Sequence, residues 1–514
     1  MVFIYVVTLM LMFMVFLFLM VFLMNKGMLI ISFKLLSVNF FNDLEIMLNM
    51  WSFMFLMMVL FITFSVLLFS FSYMSVYPVQ NFIMLYLWFV LSMFWLILNN
   101  NFYWMMFGWD GLGVVSFLLI IFYMNYESVT NGLFTIFQNR LGDLFFVFFL
   151  LMLLSSSISL NLTLKFGLVA LVLGACVKSA QFPFNAWLLA AMSAPTPISS
   201  LVHSSTLVVA GVYILLQFSY CLLDVLIVLK YISLLTLLIS FFGLLNESDM
   251  KKLIAYSTMS HVALMMFLMS MQLYKITFFH LNVHAMFKSL MFMCFGFTML
   301  SSYHSQDKRL VSYMMLSPII KMIYYFACFC LMGLPFLSGF FSKDFIIEKT
   351  MENNSEMSNI FLLLLFLSVS IYYSMKLFQL FRTMYVLSVV EMQISGMFGL
   401  LVMMSLSVLI INVFISMVFS VSLEILSYKM MIYLLIFMFL LLSLLTNLNY
   451  KWMSYHKILS NFELWNWNWY SLDQFMFSNM FYIVDSVVKL AQVKYILLVN
   501  WWVMVLVIVF FKMM

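Results

Sequence analysis

Apolar runs of about 20 residues follow one another along the whole chain, separated by short polar connections. Wound as a helix, each run can cross ~30 Å of hydrocarbon. About fifteen can be counted, at 2–24, 51–72, 81–98, 102–124, 129–154, 164–184, 197–217, 221–244, 252–270, 276–300, 315–347 (broken), 359–384, 397–420, 430–446 and 495–512. Membrane-spanning strands would instead alternate over segments of ~10 residues, and no such segments occur. The pattern predicts an all-α, polytopic membrane protein of about fifteen transmembrane helices.

Two of these runs are interrupted beside a lysine. "LGACVKSAQFPFNAW" places Lys178 five residues before Pro183, which cannot donate an i→i−4 hydrogen bond. In "LMGLPFLSGFFSKDF", Gly333, Pro335 and Gly339 lead up to Lys343. Broken helices in matching places of two halves point to a transport site built on internal repeats. The chain then divides into N-terminal spans and loop (1–98), two repeats (99–220 and 221–385) and additional C-terminal spans (386–450). Residues 451–494 turn polar and Trp-rich, then amphipathic, which suits a helix lying in the interface plane, and 495–514 form a terminal anchor span.

Composition narrows the function. Of 514 residues, 67% are hydrophobic and 8% charged, with a mean hydropathy of +1.15, against roughly 25% charged in a soluble domain. A formal charge of +5 scattered over many loops implies no nucleic-acid surface. The cysteines Cys176, Cys221, Cys294, Cys328 and Cys330 contain no CxxC pair, so neither a disulfide framework nor an iron–sulfur site is expected. "GWDGLG" lacks the order of a dinucleotide fingerprint, and no phosphate-binding P-loop motif occurs. The first run begins at Val2 without an Arg-rich presequence, so no targeting segment is expected.

What remains is a set of ionisable residues within spans, each costing roughly 2.5–3.5 kcal/mol on insertion scales. Asp110 lies about nine residues into its run, facing a cation if it is helical and acting as an N-cap if it is not. Arg140 and Asp143 are one turn apart and can neutralise each other. Lys178 either snorkels or stays buried as a group that loads and releases a proton. His203 follows a Pro-Thr-Pro helix start and reads equally as packing or as relay. His280, His284 and Lys288 recur every four residues, one stripe about 12 Å long. An H-x₃-H pair can chelate a metal, but the next residue in line is a lysine, which favours a protonatable relay. Lys343 and Asp344 close the second break, as a relay exit or a boundary ion pair. Proton-holding groups along a lipid-shielded path make a proton relay.

The segments "KSAQFPFNAWLLAAMSAPTPISSLVHSSTLVVAGVY", "NESDMKKLIAYSTMSH", "HLNVHAMFKSLMF" and "GLPFLSGFFSKDFIIE" resemble the core of the mitochondrial NADH–ubiquinone oxidoreductase chain 5 family, the antiporter-like subunits of respiratory complex I. The resemblance runs from about Trp109 to Glu348, and "SKD" favours chain 5 over its paralogue chain 4. It implies two inverted antiporter-like repeats, a C-terminal lateral helix and a place in the mitochondrial inner membrane. It pairs Asp110 with Lys178, and it adds His203, His280, His284, Lys288, Lys343 and Asp344 to one mid-membrane row, with Arg140 and Asp143 as supporting charges. It implies no cofactor on this chain: NADH, FMN, iron–sulfur clusters and ubiquinone are expected in partner subunits. The expected partners are other membrane-arm subunits, above all the adjacent chain 4, and lipids such as cardiolipin. Many relatives carry Glu in place of Asp110 and sixteen spans, so one span is expected to be missing before the first loop. The rival readings are a subunit of a multi-subunit Na⁺/H⁺ antiporter, and a structural protein whose charges only hold spans together.

Overall fold

A reciprocal exchange at Asn49 starts the first long helix: Asn49 N–H donates to Ser52 Oγ at 2.8 Å, and the same hydroxyl donates to Asn49 O at 2.9 Å. The structure, a computed structural model, describes residues 29–33, 44–74, 79–155, 162–219, 222–302, 304–308, 318–334, 337–352 and 357–380, with a few positions between 399 and 407. These all belong to one unit, Met1–Lys451; a second, Trp452–Met514, lies outside the described residues. Outside them too fall the expected spans at 2–24, 430–446 and 495–512, most of 397–420 and the interfacial segment 451–494.

The helices are α1 (Met50–Tyr73), α2 (Val79–Leu98), α3 (Phe102–Ile120), α4 (Tyr126–Ser155), α5 (Leu162–Lys178), the short α6 (Ala186–Ala190), α7 (Thr196–Gln217), α8 (Leu226–Asn246), α9 (Met250–Ser270), α10 (Tyr274–Ser301), α11 (Pro318–Met332), α12 (Ser338–Glu352) and α13 (Met357–Leu380). Among the described residues eight are long and apolar enough to cross a membrane, as the all-α reading expects. Residues 29–48, read as loop, contribute instead a short antiparallel ribbon of β1 (Leu29–Phe33) and β2 (Leu44–Leu48), with Ile31 opposite Ile46 and Ser32 opposite Glu45. Runs of five residues are too short for periodicity to reveal.

Both expected breaks are present and end in the same way. After α5, Ala180 takes a left-handed φ of 51°, Gln181 N–H reaches back to Cys176 O at 2.9 Å and Ala180 N–H to Val177 O at 3.2 Å. After α11, Gly333 has φ 79°, Leu334 N–H reaches Phe329 O at 3.3 Å and Gly333 N–H reaches Cys330 O at 3.2 Å. These are two Schellman motifs, one with the usual glycine and one with alanine in its place. Replacing Ala180 with glycine removes a Cβ that disfavours this conformation, so thermal denaturation is expected to show about 1 kcal/mol of added stability. A Cβ on Gly339 would lie 1.8 Å from Cys330 O, so only glycine lets α12 turn back against the last turn of α11.

α7 begins with Pro195 extended at its N-cap and Pro197 in its first turn, where a missing N–H costs nothing. It then widens into a π-helix over Ser199–Thr206. Hydroxyls take up its loosened carbonyls: Ser205 Oγ and Thr206 Oγ1 both donate to Leu201 O at 3.0 Å. α10 is the hub, touching α1, α7, α9, α11 and α12. α7, α9 and α10 are wrapped by other helices, whereas α2, α3, α4 and α8 turn apolar side chains outward, among them Leu144 and Ile227.

Candidate functional site

Lys178 is the last residue of α5, fully buried, and its ammonium needs acceptors. It donates to the backbone carbonyl of Trp109 on α3 at 2.6 Å and stands 4.4 Å from the centre of the Trp109 ring. Trp109 Nε1 donates in turn to Asp143 Oδ1 at 2.9 Å, and Arg140 Nη1 binds Asp143 Oδ2 at 3.1 Å. The i,i+3 pair of Arg140 and Asp143 therefore forms. Asp110 lies within α3, and Asn101 is the residue at the helix N-cap. The expected partnership of Asp110 with Lys178 is replaced: Asp110 meets Arg140 at 3.7 Å and makes no ion pair with Lys178 among the described residues. The indole and carbonyl of Trp109 stand between lysine and carboxylate, a geometry that spacing along the chain cannot convey.

His203 sits fully buried in the π-helical turn of α7, its ring 6.3 Å from that of Trp187 and the Ala191 backbone beside it. Among the described residues neither ring nitrogen has a hydrogen-bond partner of good geometry. Both nitrogens of His284 are likewise unmatched, although the residue is fully buried. Orphaned imidazole nitrogens at this depth are places where ordered water binds.

The stripe on α10 faces the protein interior, as expected. His280 Nδ1 meets Ser342 Oγ at 3.1 Å. Lys288 donates to Ser257 Oγ on α9 and lies 5.0 Å over the Tyr373 ring of α13. Lys343, on α12, donates to Leu331 O in the last turn of α11 and to Ser370 Oγ at 2.9 Å. A lysine on the terminal carbonyls of a neighbouring helix suits the negative end of its dipole. The backbone of Asp344 belongs to α12; its side chain lies outside the described residues.

A family profile described as NADH:quinone oxidoreductase/Mrp antiporter, transmembrane, matches residues 99–371, more than half of the chain. The chain belongs to that family. Its relatives include NADH-ubiquinone oxidoreductase chain 5 of Anopheles arabiensis, 40% identical over 62% of this chain and 88% of that one. Chain 5 of Anopheles gambiae is 39% identical over 68% of this chain; the match spans about three-fifths, 62%, of the relative's own length. Among solved structures, one of the Mrp complex from Dietzia sp. DQ12-45-1b aligns with a TM-score of 0.74 at 18% identity, covering 94% of this chain and 57% of that one. That last likeness is one of fold. The resemblance read from the motifs thus holds, and the antiporter-like fold with it.

Sequence reasoning missed three further groups of this antiporter-family fold: Lys251 and His261, both buried, and the part-buried Lys376. Lys251 donates to Ala194 O at 3.0 Å, just before α7 begins. Lys376 binds the last carbonyls of α8, Leu244 O and, at 3.0 Å, Leu245 O. His261 meets His280 ring to ring, with Nδ1 and Nε2 3.2 Å apart, and its other nitrogen bonds the hydroxyl of Tyr373. Lys251 and His261 lie in "NESDMKKLIAYSTMSH", and the rule that flagged His203 (an ionisable group inside an apolar run) applies to His261 as well.

Proposed function

We propose that this chain is a proton-translocating core membrane subunit of an NADH:ubiquinone oxidoreductase in the mitochondrial inner membrane. It moves protons through its buried Lys/His/Asp row while NADH oxidation and ubiquinone reduction proceed in other subunits. NADH, FMN, iron–sulfur clusters and ubiquinone belong to those subunits. One observation carries the reading: Lys178, His203, His280, His284 and Lys288 are all fully shielded, on helices that pack against one another, and two of them present unmatched nitrogens. Such groups, bridged by water, load and pass protons. Each charge moved against 100 mV requires about 2.3 kcal/mol, and the chain's own motifs supply no fuel, so the energy comes from its partners.

The position of the neighbour also has support. Asp110 and Arg140, with side chains 45% and 49% exposed, sit mid-helix on an otherwise apolar outer wall that includes Phe107, Phe137 and Leu144. Lipid is a poor cover for that pair, and an adjacent membrane-arm subunit such as chain 4 is a good one. Lipids such as cardiolipin line the remaining apolar perimeter.

The reading is tested by replacing Lys288 with methionine in the assembled complex and following NADH-driven acidification of sealed vesicles in sodium-free medium. Protons moved per NADH are expected to fall, with assembly retained. An unchanged ratio would remove Lys288 from the path, and a requirement for sodium would favour the antiporter alternative.

A further inference from the structure

Sequence reasoning assigned His261 no role, yet its ring touches both histidines of the α10 stripe, with centroids 5.3 Å from His280 and 5.2 Å from His284. The hydrogen bonds around it have a direction that can be worked out. Ser342 spends its single hydroxyl proton on Gly339 O at 3.2 Å, so its oxygen accepts from His280 Nδ1. In the neutral ring, His280 then carries its proton on Nδ1 and accepts at Nε2, which requires His261 to donate from Nδ1 across 3.2 Å. His261 Nε2 is left to accept from the Tyr373 hydroxyl. Four donors thus point the same way, from α13 through α9 and α10 to α12, with no gap for water to fill.

We propose that His261 is a further proton-carrying residue: with His280 it forms a direct imidazole wire from Tyr373, which lies under Lys288, to Ser342, the sequence neighbour of Lys343. This rests on the relay reading above. When Tyr373 takes up a proton on its oxygen, it passes its own hydroxyl proton to His261 Nε2. His261 releases its Nδ1 proton to His280 Nε2, and His280 releases its Nδ1 proton to Ser342 Oγ, whose own hydroxyl proton turns away from Gly339 O and passes to the Lys343 amine in its neutral form. One proton enters, one leaves, and no bond between heavy atoms changes. Each ring is left as the opposite tautomer, so the wire carries one proton and then waits until its rings rotate back. His284, with both nitrogens unmatched, lies beside the wire and not in it.

The test compares His261→Ala with Lys288→Met in the assembled complex, reading NADH-driven proton flux in sealed vesicles with and without added imidazole or pyrrole. Pyrrole has the same ring size and an N–H but no basic nitrogen. His261→Ala is expected to cut the flux through this chain by on the order of 10²-fold, the loss expected of a positioned proton-transfer group. Imidazole should restore the flux and pyrrole should not. Unchanged flux in His261→Ala while Lys288→Met loses it would overturn the wire and leave the relay standing. So would restoration by both rings, the sign of a packing role, or by neither. If Lys288→Met is also without effect, the relay reading itself falls. If His261→Ala does not assemble, Tyr373→Phe decides: it keeps the ring under Lys288 and removes only the first donor, and normal flux would overturn the wire.

Discussion

Exchanging Lys178 for methionine is expected to abolish proton passage through this chain while leaving the fold as stable as before, or more stable. Lys178 is fully buried, and its ammonium is satisfied by one backbone carbonyl at 2.6 Å and one indole face at 4.4 Å. Burying a charge carries a desolvation penalty of several kcal/mol, and replacing buried ions with apolar groups of similar volume is often neutral or stabilising by about 1–4 kcal/mol. A lysine held only for structure would not be placed there. Methionine matches its length and fills the same space, so complex assembly and thermal stability should survive. Lys178→Arg separates charge from proton release: arginine stays protonated, so it keeps the cation and loses the chemistry. Proton flux measured in vesicles should fail in both variants. Flux preserved in Lys178→Arg would mean that the charge alone is required there.

Asp143→Asn is expected to impair translocation more than Asp110→Asn, the reverse of what the pairing of Asp110 with Lys178 predicts. Trp109 Nε1 and Arg140 both converge on Asp143, whose side chain is 13% exposed. Among the described residues Asp110 pairs with Arg140 alone, at 3.7 Å, and its side chain is 45% exposed. Arg140 is 49% exposed in both pairs, so water screens each of them, and the difference lies in Asp143 being the more enclosed carboxylate and also accepting from Trp109. Half-exposed pairs at such a distance contribute on the order of 0–1 kcal/mol. Asparagine at 143 can still accept from Trp109 through its amide oxygen, so the helices stay together and the missing quantity is the counter-charge to the Lys178 ammonium. Side-by-side measurement of protons per NADH in the two variants decides the order.

The sequence makes the expensive features visible. Lysines and histidines inside apolar runs stand out because hydrocarbon penalises them, so Lys178, His203, Lys288 and Lys343 were all legible. Breakers beside two of them gave both helix breaks to within a few residues. What stayed hidden has physical reasons. The acceptors of Lys178 and Lys343 are backbone carbonyls of Trp109 and Leu331, and every residue carries one, so no letter marks them. Asp110 and Asp143 both lie within reach of Arg140, and only the packing of α3 on α4 decides which carboxylate is buried. The π-helical turn around His203 depends on how Ser204, Ser205 and Thr206 share carbonyls. Lys251 and Lys376 lie within a turn or two of helix ends, where a charge does not stand out, yet both bond carbonyls of distant segments.

A density map of the assembled complex that resolves ordered water would probe the shared interior directly. Hydrogen-bonded waters should appear on the bare ring nitrogens of His203 and His284, continuing toward Lys178 on one side and Lys288 on the other. Side chains packed dry around those two imidazoles, with no water linking the lysines, would contradict the whole account.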